Sequence, residues 1–228
     1  MRRIGALVTV LLAALVAAAV PATAASPSAA AGPVLSQTVP GGPPVNPGDI
    51  LKSSLTPGTT LNFTTVPGGP VGLFCKQSTW AAQVLSNPSA PGTAVANLLN
   101  PFSIASCFDN SPTVTGVVGV TVGSLPATVT VSDASGYPIQ ILPSTAPLVI
   151  SYTVTTTGAP TVTCTFQAGG PVAGSTAPGG APWQFTNQPF KLVSGSLPAC
   201  GTAPTAFLTA GYSPVLDATA GGTTVYVN

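Results

Sequence analysis

The chain has no histidine, and charged residues make up only 4% of it. It also has no glutamate, and its only arginines are Arg2 and Arg3. General acid–base chemistry usually draws on histidine or on paired carboxylates. The four aspartates, Asp49, Asp109, Asp133 and Asp217, are far apart in sequence. Asp109-Asn110-Ser111-Pro112 and Asp133-Ala134-Ser135-Gly136 read as turns in which the carboxylate caps its own backbone. One carboxylate per loop also falls short of a calcium site. The serines have no G-x-S-x-G setting, and the only basic partners on offer are Lys52, Lys76 and Lys191. Three scattered lysines do not make the cation cluster that nucleic acid or an anionic membrane surface requires. No C-x-x-C pair is present, so the four cysteines do not suggest a metal site. The expectation is a protein without catalytic residues, cofactor, metal or nucleic-acid partner.

The N-terminus carries a different signal. Arg2 and Arg3 precede an uncharged apolar run from Ile4 to Val20, broken by Pro21 and followed by Ala22-Thr23-Ala24. This is the order of a secretory signal peptide, with cleavage expected after Ala24 or Ala25. No later segment reads as a transmembrane span. Without Arg2 and Arg3, three lysines face four aspartates, a formal charge of −1. Charge this close to zero favours self-association. In an exported chain, Cys75, Cys107, Cys164 and Cys200 read as two disulfides.

Residues 25–47 are rich in Ala, Pro, Gly and Ser and read as a disordered arm. Beyond them, short runs of β-branched and aromatic residues alternate with Gly and Pro, the pattern of an all-β fold. Leu148, Ile150, Tyr152 and Val154 alternate with Val149, Ser151, Thr153 and Thr155, as do Cys164 and Phe166 with Thr163 and Thr165. Period two sends the first set inward. An internal repeat accompanies this pattern. Leu61-Asn62-Phe63-Thr64 and Ile150-Ser151-Tyr152-Thr153 each begin 14 residues before a cysteine. Asn100-Pro101-Phe102 resembles Gln188-Pro189-Phe190, and Thr128–Val131 resembles Thr224–Val227. These matches predict two tandem Ig-like β-sandwich domains, 48–134 and 135–228, with equivalent pairs such as Leu61/Ile150, Phe63/Tyr152 and Val131/Val227 and a linker near 133–138. One bridge inside each domain then gives Cys75–Cys107 and Cys164–Cys200. Spans of this length contribute roughly 3–4.5 kcal/mol each on the chain-entropy estimate.

The candidate binding residues are aromatic. Trp80 and Trp183 either pack on their domain's disulfide, as a tryptophan does in immunoglobulin domains, or serve a ligand. In the second case Trp183 and Phe185 border a Gly/Pro-rich stretch, 168–181, that reads as a long loop, where binding tends to reside. The signal, the Ala/Thr/Val/Gly/Pro composition, the scarcity of charge and one bridge per repeat resemble the secreted β-sandwich exoproteins of actinobacteria. The chain is more distantly similar to the apoproteins of enediyne chromoprotein antibiotics, which are Ig-like and hold an apolar ligand in a cleft. Their short-range bridges differ from the spans here, and none of their binding residues carries over. The functional expectation is a secreted, non-enzymatic envelope or extracellular protein with a structural or adhesive role. The alternative is a small apolar-ligand or glycan-binding module using the Trp183 loop or an interdomain cleft.

Overall fold

Alternation with period two runs through nearly the whole described chain, and every regular element it produces is a strand. The computed structural model describes residues 32–143 and 145–228; the signal peptide expected over 1–24 lies outside them. Fifteen strands follow one another: β1 (Leu35–Gln37), β2 (Ile50–Leu55), β3 (Leu61–Thr64), β4 (Gly72–Ser86), β5 (Thr93–Leu98), β6 (Ser103–Asp109), β7 (Val114–Gly123), β8 (Ala127–Ser132), β9 (Pro138–Leu142), β10 (Val149–Thr156), β11 (Ala159–Ala168), β12 (Val172–Ser175), β13 (Trp183–Ser194), β14 (Thr205–Asp217) and β15 (Thr223–Val227). No helix occurs among the described residues.

The two-sandwich expectation is corrected. Strands β14, β2, β4, β5, β8, β9, β12 and β13 pair in that order, and β13 pairs back onto β14, so eight strands close into a barrel. The expected linker is a tight turn in this barrel wall. Tyr137 N–H donates to Ala134 C=O at 2.8 Å, and on either side of the turn Val131 pairs with Ile139 and Thr128 with Leu142. The sheet therefore runs straight across the proposed boundary between 48–134 and 135–228. The described residues fall in one compact unit, and there is no interdomain cleft.

A second curved sheet shares the three longest strands with the barrel. Its order is β7-β10-β11-β13-β14-β3-β4-β6. Strand β4 pairs with β3 over Gly72–Cys75 and with β2 over Thr79–Gln83. Strand β14 likewise pairs with β3 near Leu208 and with β2 from Tyr212 onward. A strand longer than one barrel wall can serve two sheets in succession, and this is how the two halves of the chain interlock.

The pairing order itself repeats. Strands β2-β4-β5-β8 are matched by β9-β12-β13-β14, and β3-β4-β6 by β10-β11-β13. The residue equivalences differ from those drawn from spacing. Leu61 lies opposite Cys75, whereas the residue opposite Cys164 is Tyr152 and not Ile150. The two hairpins thus differ by a slip of two residues, which keeps every side chain on its original face. Strand β8 pairs with β5 and β9, whereas β15 pairs with β14 and β1, so Val131 and Val227 are not equivalent.

The arm expected over 25–47 is part of the fold from residue 32 onward. Val34, Leu35 and Val45 are fully or almost fully buried. Strand β1 pairs with β15, and the Asn87 side chain donates to the carbonyls of Leu35 and Val45 while accepting from Leu35 N–H. A low-complexity segment gains order here because an existing sheet edge and one amide side chain satisfy its backbone.

The disulfides are Cys75–Cys107 and Cys164–Cys200, the partners the spacing leads to. Cys75 and Cys107 face each other across β4 and β6. In the second half, Gly195 stands one residue beyond the Thr165–Ser194 pair. A Cβ on Gly195 would collide with Cys200 Sγ and the Thr163 carbonyl oxygen. Its absence lets Cys200 reach back from the following turn. Such bonds suit an oxidising, extracellular environment.

A candidate apolar site between the two sheets

Alternation in β13 turns Trp183 and Phe185 inward and leaves Gln184 exposed. Trp80 points inward from β4 in the same way. The two indoles stack, with centroids 5.3 Å apart and planes 24° from parallel. Tyr212 of β14 meets Trp80 edge-on at 6.2 Å, and Phe185 and Phe102 pack against the same phenol ring. The Phe185 ring packs closely against Gly174, its partner on β12. A Cβ there would sit 2.7 Å from the ring.

The three candidate residues Trp80, Trp183 and Phe185 are thus brought together, inside the barrel. None of them is on an exposed loop: Trp183 and Phe185 are each 5% exposed. The stretch 168–181 contains β12, a barrel strand that pairs with both β9 and β13. Its four residues, Val-Ala-Gly-Ser, have too little alternation to announce a strand.

These rings border a cavity of about 40 Å³. Its walls come from both sheets: Trp80, Trp183 and Tyr212 from the barrel, and Ile104, Val122 and Ile150 from β6, β7 and β10. The aliphatic members could not be picked out from sequence, since nothing separates a cavity wall from ordinary core in an alternating pattern. The one hydroxyl among the lining side chains, on Tyr212, is already engaged with Ser78 Oγ at 3.0 Å. Burial pushes that phenol's pKa well above its usual range, so it stays protonated. A water molecule needs two or more polar partners in such a space. This cavity is therefore dry, and an empty void of its size costs roughly 1 kcal/mol at ~24 cal/mol per Å³.

Two open clefts lie outside the walls. One, of about 340 Å³, runs beside Thr56, Thr60, Asn62, Pro182 and Gln184. The other, of about 310 Å³, runs beside Ser54, Lys76, Gln77 and Ser103. Neither is bordered by an aromatic side chain. Among the described residues no cluster of carboxylates and cysteines could hold a metal ion, and no helix is long and apolar enough to cross a membrane. The chain matches no protein-family model, no curated protein and no solved structure.

Proposed function

We propose that this is a secreted, non-catalytic binding protein that takes a small apolar ligand into the space between its two sheets. The observation that carries this reading is the wall of the cavity. Stacked indoles, a phenylalanine and aliphatic side chains surround a void that presents almost no polar surface. An eight-stranded barrel has an interior just wide enough to be filled by side chains or to hold one small ligand. The stacked pair Trp80/Trp183 gives the site its own optical reporter. The glycan alternative loses support, because a sugar-binding platform needs an exposed aromatic face and Trp183 is turned into the core.

Tryptophan emission and thermal unfolding in the presence of 1-octanol, 1-hexanol and glucose test this reading. Octanol or hexanol should shift the emission and raise Tm, by mass action on the folded state. No response to either alcohol, or a response to glucose alone, would sink it.

A structural or adhesive role rests on a different observation. The outward face of β7, β10 and β11 carries Thr121, Ser151, Thr153, Thr155, Thr163 and Thr165, several of them bonded to one another in cross-strand pairs. This is an uncharged hydroxyl face suited to contact with a neutral surface. Replacing Thr153 and Thr163 by lysine should abolish retention on isolated cell walls if that role holds.

A further inference from the structure

We infer that the ligand enters through an open seam between β6 and β7, and that it is an unbranched aliphatic chain. This inference rests on the apolar-site reading above and adds to it an entrance and a ligand class.

The seam follows from the repeated pairing order. In the second half of the chain, β13 and β14 pair along Gln188–Lys191 and Thr205–Leu208. Their counterparts in the first half are β6 and β7. Strand β6 pairs only with β4, and β7 pairs only with β10. No backbone pairing joins β6 to β7, so the second sheet curls round without closing. The two edges are held near one end by their connecting turn, in which Asp109 Oδ1 accepts from Ser111 N–H at 2.7 Å. At the other end, where β6 begins and β7 ends, they lie near each other with no ladder between them.

The cavity comes nearest the surface at that end. Of all its lining residues only Phe102 and Val122 are partly exposed; the rest are buried. Phe102 stands immediately before β6, and Val122 is the penultimate residue of β7. The two therefore flank the mouth of the seam from opposite sides. An unpaired edge normally invites another strand, but the cavity behind this one presents almost no polar surface.

Size selects the ligand. A cavity of roughly 150 Å³ is what accommodates a benzene ring. About 40 Å³ leaves room for the end of a methylene chain and not for a ring. A chain can also lie along the slot between two strands, exposing little more than its own width. Neutral and anionic chains share this tail chemistry, and the probes below separate them.

The test uses the mature chain, stopped-flow tryptophan fluorescence, and three probes: 1-dodecanol, dodecanoate and 1-adamantanol. Dodecanol should bind and adamantanol should not; dodecanoate should bind as well if the head group stays in solvent. In Phe102→Ala both the association and dissociation rates of dodecanol should rise by about tenfold, and in Val122→Trp both should fall by about tenfold. Phe102→Leu, with far-ultraviolet dichroism and Tm, guards against a folding defect in the larger truncation. If these variants change dissociation alone, the two residues are only wall and the seam is not the entrance. If adamantanol binds better than dodecanol, the chain class is wrong while the apolar site stands. If none of the three probes binds, the apolar-site reading itself falls.

Discussion

Tyr212 and Ser78 form the one buried side-chain hydrogen bond that ties the aromatic cluster to the shared strand β4. Tyr212→Phe leaves Ser78 Oγ buried without that partner, and should lower stability by about 1–3 kcal/mol. The change can be read from the urea midpoint. The double variant with Ser78→Ala should cost less than the two single changes together, since both remove the same bond. A second residue-scale expectation concerns Asp217, which is fully buried at the end of β14. Burial raises its pKa, the amides of Ala220 and Thr219 pull it partway back, and the neighbouring Asp49 carboxyl raises it again. The folded protein therefore holds this proton at a pH where the unfolded chain has released it. Stability should fall as pH rises from the ordinary carboxyl value near ~4 through the raised folded value. In Asp217→Asn that slope should disappear from the pH dependence of Tm; an unchanged slope would assign it to another group. Gly174 is a third such site. Gly174→Ala pushes a methyl group against the Phe185 ring and should cost about 1–3 kcal/mol, the usual penalty of overpacking.

At the scale of elements, the sequence showed most of what each strand does alone and little of how strands meet. Inward and outward faces of β10 and β11 were legible because period two needs no partner to declare itself. The slip of two residues between the hairpins was not legible, because it leaves both patterns intact. Strand β12 was hidden by Gly174 and its small neighbours, residues whose presence answers to the Phe185 ring and not to local propensity. Residues 25–47 read as an arm from composition, yet Val34, Leu35 and Val45 find their core through β15 and Asn87. The cysteine pairing was legible, although the reasoning by separate domains does not hold. In the structure one bond joins β4 to β6, and the other ties β11 to the turn after β13. Replacing Cys164 and Cys200 together by alanine should cost about 4 kcal/mol on the chain-entropy estimate for their 36-residue separation. Chemical denaturation measures it, and a loss under 1 kcal/mol would mean that Gly195 and its neighbours hold the turn without the bond.

At the scale of the molecule, the long strands decide the architecture. Because β4, β13 and β14 each serve two sheets, neither half of the sequence can bury its apolar face alone. Residues 48–134 expressed by themselves should therefore lack a cooperative thermal transition, whereas two tandem sandwiches would each melt independently. The same interlocking creates the apolar space where the two sheets meet, and it places Trp80 from one half against Trp183 from the other. The central claim is that this space is the binding site. Nuclear Overhauser contacts between bound 1-dodecanol and the protein test it most directly. Contacts from the chain methylenes to the indole protons of Trp80 and Trp183 and to Val122 are the expected result. Contacts confined to the outer clefts beside Gln184 or Lys76, with the indole signals unmoved, would contradict it.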